Sequence, residues 1–88
     1  MRKYEDLFLT FWVAQVREFR IKMNLIQEKM LEKLCLNTRN YQKLEQGVHQ
    51  PLATTLLLFL HQLPDQEILS LVHTFGRQVE ITHSQEVA

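Results

Sequence analysis

Phe8, Trp12, Val16 and Phe19 recur at spacings of four, four and three residues. That is one face of a helix, and it predicts a first helical segment from Tyr4 to Met23. Cations crowd its end at Arg17, Arg20 and Lys22, where they suit the helix dipole. Asn24 then fits a left-handed stop. A short second helix is expected over Gln27 to Leu34, with Met30 and Leu34 inward. Cys35 and Leu36 connect it to a third, Thr38 to Gln46, capped by Asn37 and ended by Gly47, with Tyr41 and Leu44 inward. Pro51 suits the first turn of a fourth helix carrying Leu52, Leu56, Leu57, Phe59, Leu60 and Leu63. Pro64 breaks the pattern, and Asp65 caps a fifth helix, Gln66 to Phe75, whose apolar residues are Ile68, Leu69, Leu71, Val72 and Phe75. Gly76 is read as its stop. The pattern therefore predicts one all-α domain of five helices over residues 1–77, and a polar, flexible tail over 78–88. Val79 and Ile81 alternate with polar residues there, which leaves room for a short strand.

Composition supports this reading. The chain has 88 residues, enough for one core, and 45 % of them are apolar. Gly and Pro occur only twice each, which favours helices joined by short connections. Cys35 is the one cysteine, so no internal disulfide can form, and a reducing, cytoplasmic setting is expected. Cys35 is read as a turn residue packed in the core. The longest apolar runs are core-sized, so no membrane partner is expected. The opening Met1-Arg2-Lys3 is followed by Glu5 and Asp6 and reads as helix rather than as a signal peptide.

Net charge is zero, but it is unevenly spread. Residues 1–47 hold nine Lys or Arg against six Asp or Glu, and residues 48–88 hold one Arg against four acids. A basic half and an acidic half suit a domain with one side turned to DNA. His49, His61, His73 and His83 have no i, i+4 pairing and no second Cys to join them, so no metal site is expected. Ser70 and Ser84 lack triad partners, and no Gly-rich phosphate loop exists. The sequence gives no case for an enzyme, for a cofactor or for a small-molecule ligand.

The segment Gln27 to Gln46 has the layout of a helix-turn-helix: two short helices, a tight turn and inward apolar residues at Met30, Leu34, Leu36, Tyr41 and Leu44. The outward side of the second of these helices is polar, with Asn37, Thr38, Arg39, Gln42, Lys43 and Gln46. Such a helix can lie in the major groove, where Arg reads guanine and Gln or Asn reads adenine. Arg20, Gln27, Glu45-Gln46-Gly47 and Pro51 stand in the order and spacing of a known pattern. On those residues, the stretch from Arg20 to Pro51 resembles the phage-repressor and Cro-like (XRE) helix-turn-helix family. The resemblance implies a five-helix repressor-like bundle. It also implies that Arg20 pairs with Glu45, that Gln27 contacts phosphate, and that Thr38, Arg39, Gln42 and Lys43 meet bases or phosphates. The chain departs from the pattern at Leu31, where a small Ala is usual, at Cys35, where Gly turns the chain, and at Ile26, where a Ser or Thr caps the helix.

Two readings of function follow. The first is a sequence-specific DNA-binding regulator, a repressor that dimerises through its leucine-rich fourth and fifth helices and binds double-stranded DNA with the third. The second is a repressor-fold interaction module, antirepressor or antitoxin-like, that uses Ile21, Met23, Ile26 and Leu31 as an exposed apolar corner. Exposed cations around the start of the third helix would favour the first reading.

Overall fold

The computed structural model describes residues 3–87; the readings made of Met1 and Arg2 at the N-terminus and of Ala88 in the tail lie outside them. Among the described residues the chain forms five helices and no strand: α1 (Lys3–Lys22), α2 (Gln27–Leu34), α3 (Thr38–Gln46), α4 (Ala53–His61) and α5 (Asp65–Val87). The all-α class and the bounds of α2 and α3 match the sequence pattern. None of these helices is long and apolar enough to cross a membrane.

The first helix organises the core. Its face of Trp12, Val16 and Phe19 packs with Met30 and Leu34 of α2, Tyr41 and Leu44 of α3, and Phe59 of α4. Phe59 lies edge-on to both Trp12 and Phe19, with ring centroids 5.1 Å and 5.7 Å away. Such edge-to-face pairs add to plain burial. Trp12 carries one penalty there: its Nε1 is buried with no hydrogen-bond partner among the described residues.

Three helices end in one way. Asn24, Cys35 and Gly47 follow α1, α2 and α3 with φ of 54°, 55° and 69°. In each case the next residue's amide reaches back to the carbonyl five positions earlier: Leu25 to Arg20, Leu36 to Leu31 and Val48 to Lys43. These are Schellman stops, and the left-handed residue reverses the chain. Asn and Gly tolerate that conformation; Cys35 holds it against the Cβ clash that disfavours it.

The C-terminal half departs from the sequence reading at several points. Gly76 does not end α5, which runs on to Val87, so Val79 and Ile81 are helical and neither strand nor tail forms there. The reason is tertiary. α5 lies antiparallel to α1: Lys22 Nζ donates to Glu67 Oε1 at 2.8 Å at one end, and Tyr4 Oη lies 3.2 Å from His83 Nδ1 at the other. Between them Phe75 packs against Phe8 and Phe11 at 5.3 Å and 5.4 Å. Packing on both sides of Gly76 carries the helix across a penalty of roughly 1 kcal/mol. Pro51 stands outside α4, because Leu52 takes the extended cap position and the helix opens at Ala53. Asp65 opens α5 rather than capping it, and the Pro64 carbonyl accepts from the amides of Glu67 and Ile68.

Gly76 and Cys35 each hold the residue that suits the other's backbone. A Cβ at Gly76 would meet nothing within 4 Å. Gly76→Ala is therefore expected to stabilise the fold by about 0.5–1 kcal/mol and raise Tm by a few degrees in a thermal melt. At Cys35 the order should run Gly above Cys above Val, since β-branching at positive φ is the worst case. A lower Tm for Gly76→Ala, or a higher one for Cys35→Val, would contradict the backbone geometry.

Candidate nucleic-acid interface

α2 and α3 meet through Cys35, Leu36 and Asn37. Asn37 sits at the N-cap of α3, where its Oδ1 accepts from the Asn40 amide at 2.8 Å, so its side-chain oxygen is committed to the turn. Ile26, at the equivalent position of α2, makes no side-chain cap bond.

Glu45 is the centre of the site. Its Oε1 accepts from Arg20 Nε at 3.0 Å and from Tyr41 Oη at 2.6 Å. Its Oε2 accepts from Gln27 Nε2 at 3.3 Å, and its backbone carbonyl accepts from Arg17 Nη2 at 2.6 Å. One acidic residue thus ties α1, α2 and α3 together. The Arg20 and Glu45 side chains are only 24 % and 13 % exposed, so water screens the pair weakly. Burial raises the Tyr41 pKa well above its ordinary value of 10.0, and the hydrogen bond to Glu45 raises it further. The phenol therefore remains a donor to the carboxylate at neutral pH.

The structure brings Arg20 and Glu45 together, as the family pattern implies. Gln27 is exposed at the start of α2, but one hydrogen of its amide is turned to Glu45, so only the other is free to meet a phosphate. Thr38, Arg39, Gln42 and Gln46 are exposed on α3, and Lys43 is half-buried. Arg39, Gln42, Lys43 and Gln46 fall at i, i+3, i+4 and i+7, which is one helical face. Because Glu45 points at Arg20, the outward face of α3 carries no carboxylate. At its start Arg39 is exposed and Lys33 half-buried, while Lys29 lies 3.6 Å from Glu32.

Two expectations are corrected here. Cys35 is exposed, because its left-handed turn faces outward and no neighbour covers it. The apolar corner consists of Ile21, Met23 and Ile26, which are 71, 52 and 61 % exposed, without Leu31. Leu31 turns inward and packs on the core. The sequence reading also missed the contributions of Arg17 and the Tyr41 hydroxyl. Their signal was present: Tyr41 and Glu45 are i, i+4, and Arg17 and Arg20 are i, i+3.

Comparison with protein-family models, curated proteins and solved structures finds no match for this chain.

Removing the carboxylate leaves Arg20, Tyr41 and Gln27 without their common acceptor. Glu45→Ala is expected to destabilise the fold by about 2–3 kcal/mol, between the values for exposed and fully buried pairs. For a domain of this size that is a fall in Tm on the order of 10 °C. An unchanged melting curve would show that Glu45 does not hold the three helices together.

Proposed function

We propose that this protein is a sequence-specific DNA-binding regulator, a repressor-like homodimer that reads the major groove with α3. The observation that carries the reading is the composition of that helix face. Arg39, Gln42, Lys43 and Gln46 project from one side, and the helix's single acid, Glu45, is turned inward and held by Arg20. A duplex repels carboxylates, so a helix that withdraws its acid and presents cations and amides suits a groove. One such helix makes few contacts. Two of them, about 34 Å apart, can read a palindromic site. Leu57, Leu69 and Val72 are 64, 60 and 53 % exposed on α4 and α5, and they supply an apolar surface for the second copy.

A second reading is favoured by a different observation. Ile21, Met23 and Ile26 protrude at the junction of α1 and α2. A repressor-like fold can serve purely as an interaction module, and this corner would then seat a protein partner.

Selection of bound sequences from random duplex DNA separates the two. The DNA reading expects enrichment of a palindrome. Arg39→Ala or Gln42→Ala should then lose roughly 1–3 kcal/mol at the selected site and relax preference at one position. Lys43→Ala should weaken selected and random duplexes alike and flatten the salt dependence. Absence of enrichment, or three variants with wild-type affinity, would leave α3 as a solvated face and move attention to the apolar corner.

A further inference from the structure

We propose that the cavity behind α3 binds a small monocarboxylate with an aromatic or short aliphatic body. The loop from His49 to Leu52 folds back beside α3 and, with the start of α4, borders a half-open pocket of about 250 Å³. Leu36, Leu44 and Pro51 give it apolar walls. An apolar cavity of roughly 150 Å³ already admits benzene, so this one has room for a ring with a short polar arm.

Two further observations point to what it takes. Thr55 lines the cavity and is only 7 % exposed, yet its hydroxyl makes no hydrogen bond among the described residues. The hydroxyl opens onto the pocket rather than being sealed in the core, so an oxygen of a bound molecule can meet it there in place of water. Lys43 stands in the same lining and forms no ion pair among the described residues. The lining also contains Asn40, His49 and Gln50 as polar groups, the last donating to the Glu5 carbonyl, and no Asp or Glu. Apolar walls, one uncommitted cation and no opposing acid complement an anion with an apolar body. A carboxylate would face Lys43, the body would fill the space against the leucines, and Thr55 would supply a hydrogen bond.

Occupancy would also engage Lys43 and so withdraw a cation from the outward face of α3. That consequence, regulation of DNA binding by a small acid, rests on the DNA reading; occupancy of the cavity does not, and it is measured without DNA.

The experiment titrates isotope-labelled full-length protein with phenylacetate and, separately, with the neutral phenylacetamide, following backbone amide shifts. Saturable shifts are expected at Leu36, Asn40, Leu44 and Leu52 to Thr55. Lys43→Met should weaken phenylacetate about fivefold, the worth of one exposed charge pair, and leave phenylacetamide unchanged. Thr55→Val should weaken both; Lys43→Met, a change at a half-buried surface position, tests the charge independently should Thr55→Val fail to fold. The proposal is overturned by non-saturating shifts at millimolar probe, by shifts scattered over the other cations, or by equal loss of both probes in Lys43→Met.

Discussion

The Glu45 carboxylate is the constraint on which the rest of the arrangement depends. An acid this little exposed has to be compensated, because burial removes the water that would otherwise solvate its charge. Arg20 from α1, Gln27 from α2 and Tyr41 from α3 supply the compensation, and Arg20 and the Tyr41 hydroxyl are themselves polar groups that burial would penalise if left alone. The groups are therefore mutually dependent, and they fix α2 and α3, of eight and nine residues and each too short to persist alone, against the longer α1. Arg17 reinforces the same point through the backbone carbonyl. The network also decides which side of α3 is charged: the acid that satisfies α1 is the acid that no longer faces outward.

What the sequence made legible was local. Asn24 and Gly47 marked helix ends because residues that tolerate positive φ are scarce, and the structure holds both in that conformation. The core face of α1 was legible because four large apolar residues at helical spacing have no other economical place than the interior. Gly76 misled because helix propensity is a weak prior, worth about 1 kcal/mol, and aromatic contacts with α1 outweigh it. Cys35 was misplaced because it sits at a turn, where backbone dihedrals rather than hydropathy decide which side chain points in. Leu31 lies inside α2, one position from Met30, and packs on the core beside it.

The candidate site divides along the same line. Arg20 and Glu45 could be paired from a family pattern, and the Tyr41–Glu45 contact follows from i, i+4 geometry within one helix. The cavity beside α3 could not be read in advance. Its lining joins residues from Leu36 to Thr55 only after the loop ahead of α4 has folded back, and no periodicity encodes that closure. Nor does composition reveal that Lys43 lacks a counter-ion among the described residues while Lys22 and Arg20 have theirs at 2.8 Å and 3.0 Å. Pairing is a property of the fold, and it makes total charge a poor guide to which cations remain available.

That distinction bears on how a protein of zero net charge could read DNA at all. Non-specific affinity comes from neutralising phosphates and scales with the number of cations that reach them. Here Arg20 is occupied by Glu45, Arg17 by a backbone carbonyl and Lys22 by Glu67. On the DNA reading, Arg39 and Lys43 are then the main charges α3 brings to the duplex, few per protomer and doubled in a dimer. Such a protein would hold random DNA weakly and would depend on base contacts from Arg39 and Gln42 for most of its discrimination. Weak background binding is an advantage to a small regulator, since genomic DNA offers an excess of wrong sites. It also makes the few free cations sensitive control points, because engaging one of them removes a large share of the electrostatic attraction.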